Sequence, residues 1–108
     1  MKSIVTAALL VLVSTGAFGS DDNKVALTIN NHRFTPAEIH VKANTATTVT
    51  LTNEDDQVEE FDSTMIRIEK VVAGHSAGTM RWRPLAPGRY QFIGEFHSET
   101  AQGVVIAE

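Results

Sequence analysis

No cysteine occurs anywhere in the 108 residues, so no disulfide braces the fold and no thiolate is available to hold a metal. Apolar runs are equally scarce. A membrane-spanning helix needs about 20 apolar residues, and the only candidate, Ile4 to Val13, is half that length. Nothing in the sequence shows an apolar stripe at helical period over an ordinary helix length. Basic residues are outnumbered, nine Lys and Arg against thirteen Asp and Glu for a formal net charge of −4. That balance disfavours nucleic acid and tolerates metal cations.

What is present at the N-terminus is a secretion pattern. Lys2 precedes the run Ile4 to Val13, and Ala17-Phe18-Gly19 follows as a small-x-small site, which reads as a Sec signal peptide covering residues 1–19. The expectation is export to a bacterial periplasm and one mature domain over residues 20–108. Loss of Lys2 with the leader takes the formal charge from −4 to −5. A cysteine-free domain of that size depends on its core alone, unless a bound ion adds to its stability.

The mature chain predicts short strands separated by turns. Val25, Leu27 and Ile29 alternate with polar neighbours, as do Ile39 and Val41 within Glu38–Lys42. Thr47–Thr52 is rich in β-branched residues, Phe61–Val72 is long enough for two strands or for a strand and an extended loop, and Thr79–Arg83 sets Met80 and Trp82 against arginines. Such strands and turns predict an all-β sandwich or barrel. The most informative stretch is Pro87-Gly88-Arg89-Tyr90-Gln91-Phe92-Ile93-Gly94-Glu95-Phe96-His97, a turn followed by a strand, with a closing strand from Gly103 to Ala107. While the strand persists, Ile93, Glu95 and His97 share one face, and the spacing Glu95-x-His97 puts both side chains on one side at its end.

Pro-Gly-x-Tyr-x-Phe, then His97 three residues after Gly94, then Gly103 opening a last strand, resembles the C-terminal part of a cupredoxin. The resemblance extends over nearly the whole mature chain through Phe34-Thr35-Pro36, Ile39-x-Val41-Lys42 and Val49-x-Leu51-x-Asn53. Glu59-Glu60-Phe61-Asp62-Ser63, Glu69-Lys70-Val71-Val72, Arg83-Pro84-Leu85 and Gly94-x-Phe96-His97 are similar to the cysteine-less cupredoxin-like proteins of bacterial iron-uptake systems. It implies a cupredoxin-like Greek-key β-sandwich or barrel. In blue copper members Gly94 would be a cysteine, Gln102 stands near the usual methionine, and the upstream histidine falls among Val58-Glu59-Glu60-Phe61. Only His97 is kept. The resemblance implies a periplasmic partner of a membrane iron permease and an iron-binding protein, binding copper or iron and helping to oxidise ferrous iron.

Read on their chemistry alone, Glu59, Glu60, Glu69, Glu95 and His97 offer oxygen donors plus one imidazole, a set that suits Fe, Mn or Cu(II) better than Cu(I). Without a thiolate the site is non-blue. His97 is the ligand that both its strand-end position and the resemblance select. Against this stands a solvated acidic loop over residues 53–60. Metal handover without turnover, and a metal-free structural adaptor, remain the alternatives. His32, His40 and His75 read as surface histidines, Met65 and Met80 as core filler, and Trp82 as a core aromatic able to stack on a flanking arginine. Arg81, Arg83 and Arg89 read as a solvated basic strip.

Overall fold

A computed structural model describes residues 22–108; the signal-peptide expectation lies outside the described residues. Nine strands follow in order: β1 Asn23–Asn30, β2 Arg33–Thr35, β3 Glu38–Val41, β4 Thr47–Asn53, β5 Glu59–Ser63, β6 Ile68–Val72, β7 Ser76–Trp82, β8 Gly88–Gly94 and β9 Gln102–Ala107. One turn of 3-10 helix, Glu95–His97, separates β8 from β9. The strands form two sheets, β2-β1-β4-β7 and β3-β9-β8-β5-β6. β1 and β4 run parallel, as do β3 and β9, and the remaining pairs are antiparallel. The expected all-β sandwich is what the described residues build.

Alternation along the strands sorts the residues into layers. Leu27, Ile29, Val49, Leu51, Met80 and Trp82 come from the first sheet and meet Ile39, Phe61, Phe92 and Val105 of the second, all of them buried. At the centre Phe61 stacks on Phe92 at 4.9 Å and on Trp82 at 5.7 Å, while Phe34 meets Phe92 edge-on at 5.1 Å. Such aromatic pairs contribute about 0.5–1.5 kcal/mol each beyond the area they bury. Trp82 thus stacks on a phenylalanine and not on a flanking arginine, because the alternation that buries it turns Arg81 and Arg83 outward. Those arginines reach Asp22 and the Met65 carbonyl instead. Met80 fills core as expected. Met65 does not: it lies exposed in the β5–β6 turn, its sulfur accepting the Gln91 N–H.

The long segment Phe61–Val72 resolves into β5 and β6, which pair from Glu59↔Val72 to Ser63↔Ile68. β8 ends at Gly94, earlier than a strand running to His97 would require. The chain turns there because Glu95–His97 adopts 3-10 geometry, and the Ala101 N–H donates to the His97 carbonyl while the Gly94 N–H donates to the Ala101 carbonyl. That break decides where Glu95 and His97 point.

Candidate functional site

Asn53, buried at the end of β4, organises the loop that leads into β5. Its amide donates to the carbonyls of Gln57 and Val72, and its Oδ1 accepts the Asp55 N–H. The loop thereby delivers Glu59 to the start of β5 with its side chain facing inward. Glu59 is 1% exposed. A carboxylate so buried needs full hydrogen bonding, and it finds three donors. Oε1 accepts the N–H groups of Glu60 at 3.0 Å and Phe96 at 2.9 Å, and Oε2 sits 2.6 Å from His97 Nδ1. The other ring nitrogen of His97 lies 2.9 Å from Gln57 Oε1. Both His97 nitrogens therefore have protein partners.

His32 completes this end of the molecule. Asn31 and His32 both take left-handed backbone, φ 54° and 57°, in the two-residue connection between β1 and β2. That geometry suits the twist of a tight hairpin, and asparagine tolerates it better than histidine does. Asp55 holds the turn by accepting both N–H groups, from Asn31 at 2.7 Å and His32 at 3.0 Å. The Thr100 hydroxyl donates to the His32 carbonyl at 2.6 Å. So fixed, the His32 ring stacks on His97 with centroids 3.6 Å apart and planes 13° off parallel. Burial pushes the Asp55 carboxyl up, but the two backbone donors outweigh it and hold the group below its ordinary value.

On the opposite face of the same strand the pattern is reversed. Glu60 and Asp62 point outward between the buried Glu59, Phe61 and Ser63. Glu69 lies directly across from Asp62 on β6, and Glu95, on the 3-10 turn, is close enough to feel the charges of Asp62 and Glu69. Four carboxylates share this face, rimmed by the exposed Val58, Val71 and Phe96. Desolvation raises the Glu60 pKa, helped by the charges of Glu69, Asp62, Glu95 and Glu59. The Asp62 hydrogen bond, then desolvation, then the charges of Asp62, Glu69 and Glu59 raise that of Glu95.

The five residues singled out in the sequence thus divide into two groups. Glu60, Glu69 and Glu95 come together outside, and Glu59 and His97 bind each other inside. Glu95 and His97 do not share one side, because the 3-10 turn replaces the extended backbone that would have aligned them. Sequence reasoning missed Asp62, Gln57 and His32. Asp62 was within reach, since Glu60-x-Asp62 is strand spacing. The His32 contact arises from a pairing 65 positions away in sequence and has no local signal. His40 and His75 are exposed as expected, hydrogen-bonded to Glu38 and Glu108 and to Asp56 respectively. Among the described residues, no three His, Asp or Glu side chains converge on one point as a metal-holding group.

A model of the cupredoxin-like domain matches residues 3–107. An uncharacterised protein of Rickettsia prowazekii (strain Madrid E) is 37% identical over 103 residues, which covers 92% of this chain and 82% of that protein. Among solved structures, auracyanin A, a "blue" copper protein of Chloroflexus aurantiacus, superposes with a TM-score of 0.69 at 13% identity, over 79% of this chain and 98% of its own. The metal-binding domain of the Streptococcus pneumoniae D39 Cu(I)-exporting P-type ATPase gives 0.66 at 15%, over 79% and 84%. At such identities the likeness is one of fold. A blue copper ion does not fit the residues present. There is no thiolate, and a Cβ added at Gly94 would lie 2.8 Å from the Glu59 carboxyl carbon and 2.8 Å from the Ala101 Cβ.

Proposed function

This chain belongs to the cupredoxin-like domain family, and from that premise we propose that it is an exported, non-blue metal-handling module of bacterial iron uptake. Its cargo is a hard cation taken by Glu60, Asp62, Glu69 and Glu95. The observation that carries this reading is the outward carboxylate face, where Glu60 and Asp62 leave one side of β5 and Glu69 stands across from Asp62 on β6. Carboxylate oxygens suit iron and manganese better than soft ions. A cation placed among them relieves their mutual repulsion. Family resemblance supplies the uptake context: a membrane permease and an iron-binding protein of the same compartment are the proposed partners, with ferrous iron or its oxidised product as the ion passed on.

A second reading has its own support. The inward pair leaves no nitrogen of His97 free, and the carboxylates share a face without closing on a point. Both features suit an adaptor that kept the fold and dispensed with metal. A thermal-shift titration separates the two. Binding to the native state alone adds about 2.7 kcal/mol at a hundredfold excess over Kd, so Fe(II), Fe(III), Mn(II) or Cu(II) should raise Tm. No shift with any of the four supports the adaptor. Loss of the shift in Glu60→Gln/Glu95→Gln assigns it to the carboxylate face.

A further inference from the structure

Gly94 and Glu59 together show more than the loss of a metal ligand. In the resemblance, residue 94 is where a cysteine side chain would project toward copper. Here a side chain begun at that position would meet the Glu59 carboxyl at once, its Cβ 2.8 Å from the carboxyl carbon and 2.9 Å from Oε2. The same Oε2 is the atom that binds His97 Nδ1 at 2.6 Å. The glutamate therefore lies between residue 94 and His97, in the space that an ion ligated from both would take. We infer that the Glu59 carboxyl group stands in for the metal ion: it ties together the same segments that a copper ion would tie, and it closes that position to metal.

The hydrogen bonds support this beyond simple occupancy. A copper ion held by residues of the β4–β5 loop and of the β8–β9 connection would cross-link these two segments. Glu59 makes that link without metal, from the start of β5 to the Phe96 N–H and the His97 ring. Gln57 adds a second tie from the same loop to His97 Nε2. With Glu59 in place, glycine at 94 is required by space, since the carboxyl and Ala101 crowd from two sides the point where any Cβ would go, and interiors are too tightly packed to absorb such an overlap cheaply. The inference is independent of the carboxylate face, which uses other residues.

Copper added to two full-chain variants tests it. Gly94→Cys supplies a thiolate while leaving Glu59 in place. Gly94→Cys/Glu59→His supplies the thiolate, removes the carboxyl group and restores an imidazole where it stood, giving with His97 the two-histidine, one-cysteine set of blue copper centres. The expected result is no intense visible Cu–thiolate band in the single variant and a clear one in the double variant. A single variant as blue as the double, or a folded double variant without the band, overturns the inference. Should either variant fail to fold, Glu59→Gln decides by amide exchange and by the His97 ring signals in nuclear magnetic resonance. Exchange at Phe96 at least tenfold faster than in the wild type, with a shifted His97 resonance, supports the cross-link, and an unchanged rate and resonance refute it.

Discussion

Glu59 and Glu60 are neighbours in sequence and opposites in circumstance. Glu59 points into the sandwich, is almost wholly buried, and has a donor for each oxygen. Glu60 points out, half-buried among Asp62, Glu69 and Glu95, with like charges around it. The pleat of a single strand separates them, because successive side chains leave opposite faces. The comparison teaches that a carboxylate's role follows its surroundings more than its residue type. Inside, it serves as one half of a structural cross-link. Outside, it sits among carboxylates of like charge.

The comparison breaks most visibly at Glu59. Truncating one partner of a buried, hydrogen-bonded pair costs about 3–5 kcal/mol, so Glu59→Ala should lose that much stability in denaturant unfolding, and a loss below about 1 kcal/mol would place no cross-link there. His97→Ala comes next. Its ring is only one-fifth exposed and has two partners, and a hydrogen bond to a charged group contributes about 1.5–3 kcal/mol. A loss in that range, measured in the presence of chelator, is expected. If the loss appears only when metal is supplied, His97 is a ligand and not a structural partner.

The outer face predicts the reverse sign. Glu60 and Glu95 have raised pKa values, so between the ordinary carboxylate value and the raised one the folded chain holds more protons than the unfolded chain. Stability from these groups is present at low pH and falls as pH rises through that window. Glu60→Gln or Glu95→Gln should remove the decline and raise Tm slightly at neutral pH, which a thermal melt series across pH would read. Asp55 acts oppositely: its carboxyl is held below its ordinary value, so its contribution is present at neutral pH and lost as pH falls. The smallest effect is expected at His75→Ala, an exposed turn histidine with one surface hydrogen bond, within about 0.5 kcal/mol of wild type.

Most of the fold was legible because strand alternation is local. Val25-x-Leu27-x-Ile29, Ile39-x-Val41 and Met80-x-Trp82 each bury the side that their pattern predicts. The inner site was only half legible. The sequence spacing Glu95-x-His97 suggested a shared face, but the 3-10 turn is fixed by bonds to Ala101 and by Glu59 accepting the Phe96 N–H, a contact 37 positions away. The stack of His32 on His97 likewise depends on Asp55 and Thr100 holding a strained turn. Such long-range contacts leave no periodicity to read. Gly94 was visible as a missing cysteine, whereas the carboxyl group that fills its place became visible only once β5 and β8 were paired.

As proposed, the inward pair is structural and the outward carboxylates take the cation. Anaerobic calorimetric titration of Fe(II) into wild type, Glu60→Gln/Glu95→Gln and His97→Ala tests it most directly. The expected result is binding by wild type, affinity lower by about tenfold or more in the carboxylate variant, and affinity close to wild type in folded His97→Ala. Binding that survives in the carboxylate variant and vanishes in folded His97→Ala would contradict the claim and return the metal to the inner site.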